Sequence, residues 1–346
     1  ALQNWSAFVL VTGLLLLGLV ARADGLFDAG GELVARSARG GPSLLVSGAV
    51  LVAVVTAVLN LDTAVAFLTP VLIVAARRRR TDETAFLYLA IFLANGASLL
   101  LPGSNLTNLI VLGHRHVSGT VFAATMLPAW VAASVSITVV VAVAFWTRLV
   151  RSGPRRRGPL DARLGAGLVG GVVAVAAMLT LSGGVVALVV AGTGIVLSAL
   201  ELGRHRVTWG EIRRTVDVAL LAGLFGLAVA LGTLGRSWSG PATILSHLNA
   251  WGTAVAAAAS SVLVNNLPAA SLLAARRPPH PFALLIGLNV GPNLFVTGSL
   301  AWILWLRAAR AAGGRPDVRR ASVLGLISVP FAMAAAVGVL VLSGAS

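Results

Sequence analysis

Asp62 is the only acidic residue set deep inside an apolar run of this chain. A carboxylate in hydrocarbon is costly, and ionisable side chains there mark substrate pathways and proton relays. Asp62 is therefore a candidate proton-coupling group. Neutral amides gather beside it and at three further places: Asn60, Asn95, Asn105, Asn108, Asn265, Asn266, Asn289 and Asn293. Amides supply donors and acceptors without charge, and Thr63, Ser104, Thr107 and Thr297 add hydroxyls. A set of this kind suits a small polar solute held beside one acid. Each residue also has a plainer use, because Asn and Asp are favoured helix caps, and Asp62 could simply open a helix over 63–76. Clustering at four places favours a common site.

The four places are interruptions in long apolar segments. LNLDTAVAFLTP (59–70) and NNLPA (265–269) break two runs, and Pro102-Gly103 and Gly291-Pro292 break two others. Pro removes a donor and Gly tolerates unusual backbone angles. In lipid every backbone polar group must be satisfied, so broken helices persist only where they face protein or a polar cavity. Paired breaks in two parts of a hydrophobic chain point to a transporter's substrate site. Helix N-termini aimed into such a site add free N–H groups and partial positive charge.

The composition agrees. The chain is 58% hydrophobic and 11% charged, with mean hydropathy +0.93, values of a polytopic all-α membrane protein. Without cysteine, thiolate metal sites and disulfides are excluded. No cofactor is expected, and no His/Asp/Glu spacing resembles a metal site. The net charge of +15 comes entirely from Arg, spread through short loops. That pattern sets orientation in the membrane; no basic helix or aromatic sheet is present to bind nucleic acid.

Apolar runs cover 5–20, 43–76, 85–112, 120–146, 165–181, 185–200, 215–235, 243–275, 281–306 and 321–343. The runs 43–76 and 243–275 are too long for one crossing and short for two. If each enters and leaves on the same side, loops 21–42, 77–84, 147–164, 201–214 and 307–320 share a side with 22 of the 26 arginines. Single crossings would split them 16 to 10. The first arrangement is expected, with those five loops cytoplasmic and the protein in the inner membrane. Arms 44–59 and 63–76 would be about 24 and 21 Å long, short of the roughly 30 Å core, so two re-entrant hairpins are expected.

The expected organisation is two inverted repeats. The first, 1–146, holds hairpin 43–76 and broken span 85–112. The Arg-rich linker is 147–164, and the second repeat, 165–346, holds hairpin 243–275 and broken span 281–306. Three helices precede the second hairpin and one precedes the first, so two more helices are expected before Ala1. Trp5, Trp146, Trp209, Trp238 and Trp251 fall at run ends and suit interfacial anchors. Gly165, Gly167, Gly170 and Gly171 suit close helix packing.

SNLTNL (104–109), NNLPA and GLNVGPNLFVTGSLAWILWLR (287–307), with the first hairpin 59–70, resemble the ArsB-type arsenite/antimonite efflux permeases of the ion transporter superfamily. The likeness covers roughly 43–343. It implies an elevator-type carrier with a scaffold and a mobile domain, the latter holding both hairpins and both broken spans. It also implies proton-coupled export of trivalent arsenic or antimony hydroxide, and by resemblance alone a cytoplasmic ATPase partner. A homodimer is compatible with the sequence. The tips lack the Ser-Asn-Thr signature of the superfamily's dicarboxylate branch. A neutral trihydroxide fits amides, hydroxyls and one acid. On these grounds Asn60, Thr63, Asn95, Ser104, Asn105, Thr107, Asn265, Asn266, Asn289, Asn293 and Thr297 form the expected substrate site. The alternatives are a sodium/proton antiporter or small-anion symporter of the same fold and, from another class, a non-transporting membrane scaffold. No nucleophile–base pair suggests an enzyme.

Overall fold

The computed structural model describes residues 5–113, 117–151, 165–181 and 183–345, and every regular element among them is helical. The expected linker 147–164 therefore lies largely outside the described residues. In chain order, α1 (Trp5–Ala23) leads to α2 (Leu26–Ser37), then α3 (Gly41–Val58) and α4 (Leu61–Arg78). Next, α5 (Thr84–Ala97) stops at a 3-10 turn, Pro102–Ser104, and restarts as α6 (Leu106–Leu112), before α7 (Gly119–Ala144) and the short α8 (Trp146–Leu149). Beyond the linker come α9 (Ala166–Thr180), α10 (Gly184–Gly203), α11 (Trp209–Thr215), α12 (Val218–Ser237) and α13 (Gly240–Ser246). The chain then forms α14 (Ala250–Val264), α15 (Asn266–Leu273) and α16 (Pro281–Val290), a second 3-10 turn at Gly291–Asn293, α17 (Ala301–Ala311) and α18 (Val318–Leu342). Among the described residues, six segments are long and apolar enough to cross a membrane: Trp5–Ala23, Gly41–Val58, Gly119–Ala144, Gly184–Gly203, Trp209–Ser237 and Val318–Leu342. The chain is an integral, multi-pass membrane protein.

Run 43–76 folds back on itself. A Cβ at Gly48 of α3 would lie 3.1 Å from Leu72 Cδ2 of α4, and α2 crosses both arms where Gly30 meets Leu51 and Gly31 meets Val71. Each arm has 18 residues, about 27 Å at 1.5 Å per residue. This exceeds the expected lengths because α3 starts early, with Pro42 in its first turn, and α4 runs on through Arg77 and Arg78. Loops 21–42 and 201–214, expected as plain connections, contain the helices α2 and α11. Broken span 281–306 restarts only at Ala301 and continues to Ala311.

Two groups of helices result. α9 and α10 clasp α1 through small residues: Gly167 faces Ala21, Gly170 faces Leu17, and Gly13 faces Ala191 so closely that a Cβ would come within 2.7 Å of its backbone. The other group surrounds α5 and α16. Its centre is aromatic, with Trp302, Trp305, Tyr88, Phe86 and Phe92 fully buried. Trp302 Nε1 donates to the Pro292 carbonyl at 2.9 Å and Trp305 Nε1 to the Leu87 carbonyl at 2.8 Å. The first of these satisfies a carbonyl that the break before α17 releases. Trp5, Trp146, Trp209, Trp238 and Trp251, by contrast, are 37% to 65% exposed.

Charged contacts gather the Arg-rich connections at one end. Arg77 donates to the Ala312 and Gly313 carbonyls at the close of α17. Arg148 pairs with Asp82 at 2.7 Å, Arg78 with Glu32 at 2.5 Å, and Arg206 with Asp24 at 3.8 Å.

Candidate functional site

The two broken spans meet amide to amide. Asn95 Nδ2 donates to Asn293 Oδ1 at 2.8 Å, and Asn293 Nδ2 donates to the Phe92 carbonyl at 2.9 Å. Asn289 is the hub. Its Oδ1 accepts from Ser98 Oγ and Asn105 Nδ2, both at 2.6 Å, while its Nδ2 donates to Asn108 Oδ1 at 2.9 Å and the Leu285 carbonyl at 2.8 Å. A side-chain amide has two donors and two acceptor sites, so Asn289 has no capacity left in this conformation. Asn108 reaches back to the Ser98 and Leu101 carbonyls just beyond α5. A buried polar cluster so fully connected is rigid, because every broken bond would strand a group away from water.

Each hairpin tip docks on its own break. Ser104 Oγ donates to the Ala57 carbonyl at 3.2 Å, tying the first tip to the first break. At the second tip, the Asn266 backbone N–H donates to the Gly298 carbonyl at 2.9 Å, Asn265 Nδ2 to the Thr297 carbonyl at 3.1 Å, and Thr297 Oγ1 to the Val262 carbonyl at 2.9 Å. Asn265 holds φ 75° and ψ 152°, a region that a side chain rarely occupies and that costs about 1–3 kcal/mol. Ser299 Oγ reaches Asn95 Oδ1 at 3.5 Å, linking this clasp to the amide cluster.

The first tip differs in having unused polar atoms. Asn60, extended and 2% exposed, is the N-cap of α4: its Oδ1 accepts from the Thr63 backbone N–H at 2.7 Å. The cap is thus Asn60, and Asp62 is free of the capping role its spacing suggested. Asn60 Nδ2, Thr63 Oγ1, Thr56 Oγ1 and Thr107 Oγ1 are buried with no hydrogen-bond partner among the described residues. Asp62 sits half-buried in the first turn of α4, and nothing among the described residues donates to its carboxylate. Buried polar groups are nearly always paired; Thr56, Asn60 and Thr63 bring three orphans to one tip and Thr107 adds one at the first break, while Thr81, Ser134, Ser198, Thr253, His280 and Ser328 are orphans elsewhere.

The structure thus brings Asn95, Asn105, Asn289 and Asn293 together, with Ser104 joining them to the first tip. Asn60, Asp62, Thr63 and Thr107 form the unsatisfied set, while Asn265, Asn266 and Thr297 belong to the second clasp. Sequence reasoning missed Thr56, Ser98 and Ser299. Ser98 lies one helical turn beyond Asn95. Ser299 follows Gly298 as Ser104 follows Gly103, a repeated dipeptide that could have revealed it. Thr56 falls in an apolar stretch and carries no such signal.

Comparisons with known proteins agree with this architecture. The family model described as a citrate transporter, CitMHS, matches residues 2–287. An arsenical pump membrane protein of Escherichia coli is 25% identical over 334 residues, covering 87% of this chain and 78% of that protein. One from Yersinia enterocolitica is 27% identical over 338 residues with the same coverage, and an uncharacterized transporter of Mycobacterium tuberculosis is 27% identical over 369 residues, covering 95% and 85%. Among solved structures, the Alcanivorax borkumensis YdaH transporter, described as having an unusual topology, superposes with TM-score 0.56 at 16% identity, covering 97% of this chain and 85% of that one. That last likeness is one of fold.

Proposed function

This chain belongs to the CitMHS citrate transporter family and is a secondary transporter; from that premise we propose that it exports arsenite or antimonite from the cell in exchange for protons. The observation that carries the proposal is the unsatisfied set of the first hairpin tip and the first break. Asn60 Nδ2, Thr56 Oγ1, Thr63 Oγ1 and Thr107 Oγ1 are uncharged and lack partners among the described residues. The trihydroxides of trivalent arsenic and antimony are neutral near physiological pH and present both donors and acceptors. They match such a set without leaving a charge buried. Asp62, the one acid at this tip, takes the proton on the return stroke. The amide cluster around Asn289 keeps the two breaks fixed while the cargo exchanges, and Asn265, Asn266 and Thr297 close the second tip.

Movement follows an elevator scheme in this reading. α1, α9 and α10 form the scaffold, and the hairpins α3–α4 and α14–α15 travel with the two broken spans. Residues 1–146 and 165–346 are the inverted repeats, and the Arg-rich end is cytoplasmic, as the positive-inside rule favours.

The family's description favours a second reading, citrate or a similar anion as cargo. A multiply charged carboxylate calls for cationic partners, and the polar atoms just described at the first tip belong to amides and hydroxyls alone. One experiment separates the readings. Everted vesicles from cells expressing the protein are given arsenite, antimonite, citrate or sodium with an imposed pH gradient. Gradient-dependent arsenite or antimonite uptake is the expected result. Movement of citrate or sodium alone would refute the export of arsenic and antimony.

A further inference from the structure

Gly18 of α1 meets the first hairpin tip. A Cβ on Gly18 would lie 2.5 Å from Thr63 Cγ2, 3.1 Å from Thr63 Oγ1 and 3.4 Å from Thr63 Cβ. The whole Thr63 side chain is therefore pressed against a position where no side chain exists. Thr63 is 1% exposed, and its hydroxyl is one of the orphaned polar atoms. A threonine inside a helix often turns its hydroxyl to the carbonyl one turn back, as Thr69 does to Val65 at 2.6 Å. Thr63, in the first turn of α4, makes no such bond. Its rotamer instead lays the methyl and hydroxyl along α1.

The surrounding contacts narrow the cause to Gly18. At Gly171 of α9, a Cβ would meet Val58 Cγ1 at 3.4 Å, an ordinary contact. Gly103 in the first break does face crowded neighbours, Leu10, Leu14 and Met178, but all three are apolar side chains. Gly18 alone among these three abuts a polar side chain of the unsatisfied set.

We propose that Gly18 is a positioning residue for the cargo site: lacking a side chain, it lets Thr63 seat against α1 with its hydroxyl left unpaired at the tip. This rests on the reading of the first tip as the cargo site. Any larger residue at 18 turns Thr63 away or shifts the tip, and the site loses a hydroxyl without losing an atom. The Thr63 methyl is the closest obstacle, so removing it makes room for a Cβ at 18. Thr63→Ser does this while keeping the hydroxyl.

The test is a double-mutant cycle with Gly18→Ala and Thr63→Ser, and with Gly171→Ala as the control beside the same tip. Arsenite uptake into everted vesicles is measured across concentration. Overpacking of this kind costs about 1–3 kcal/mol, so Gly18→Ala should raise the half-saturating concentration by roughly fivefold or more. The maximal rate changes less, because the loss is in binding. The double variant should return to within about twofold of Thr63→Ser, where coupled sites depart from additivity. Gly171→Ala should match the unsubstituted protein. An unchanged half-saturation in Gly18→Ala, or additive losses in the double variant, overturns the proposal. A second arm needs no cargo: thermal unfolding of the four purified proteins should show the Gly18→Ala deficit disappearing in the Thr63→Ser background. If the unsubstituted protein carries no arsenite, the functional reading fails while this arm still decides the coupling. Additive midpoints there overturn the coupling whatever the transport result.

Discussion

Half-buried Asp62 differs from the buried acids Asp24, Glu32 and Glu201 in having no partner among the described residues. Asp24 accepts from the Gly167 backbone N–H at 2.7 Å, Glu32 pairs with Arg36 and Arg78, and Glu201 pairs with Arg204 and Arg206. Those three are structural ties of the kind whose loss leaves a charge stranded. Asp62 ties nothing down, so Asp62→Asn should leave the thermal unfolding midpoint essentially unchanged. Uptake should then no longer respond to an imposed pH gradient. A retained response assigns the proton elsewhere. Asn289 is the opposite case. Asn289→Leu keeps the volume but removes the short partners of Asn105 Nδ2 and Asn108 Oδ1, while Ser98 Oγ keeps the Asn95 carbonyl. Each stranded buried group costs about 1–3 kcal/mol. The variant should unfold at a markedly lower temperature, and an unshifted midpoint would deny the cluster its structural role.

The breaks themselves depend on unusual support. Where α16 ends, the Pro292 carbonyl is met by the indole of Trp302, itself 0% exposed. Trp302→Phe preserves most of the packing and removes the donor, so stability should fall by about 1–3 kcal/mol, read as a lowered denaturation midpoint in detergent. No change would mean that water or another group meets this carbonyl. The positions of the breaks were legible in the sequence because Pro-Gly, Gly-Pro and Asn-Asn-Leu-Pro are locally incompatible with an unbroken apolar helix. Which amide bonds which was not legible, since the decisive partners lie 184 and 198 residues apart and no local pattern encodes such a pairing. Arm lengths were misjudged for a related reason. Hydropathy stops at the first arginines, whereas α4 continues through Arg77, which is anchored by carbonyls on a distant loop. The five tryptophans at run ends are exposed, in keeping with their position in the runs.

At the scale of the whole molecule, five connections meet at one end, and the absence of cysteine makes orientation directly measurable. Single substitutions Arg39→Cys, Arg80→Cys and Arg315→Cys should all react with a membrane-impermeant thiol reagent in everted vesicles, whereas Arg277→Cys should react in intact cells. Labelling of Arg80→Cys and Arg277→Cys from the same side would overturn the assigned sidedness. The bond between Asn105 and Asn289 has a further consequence, in time. Residue 105 leaves the ribosome 184 residues ahead of its partner, an interval of about 10–40 s at ordinary synthesis rates of 5–20 residues per second. Throughout that interval the Asn105 amide has Ser98 Oγ, at 3.5 Å, as its near acceptor in place of Asn289. The first break therefore keeps only a long, local bond for this amide until the second break is made, and the short bond that closes the cluster is among the last to form.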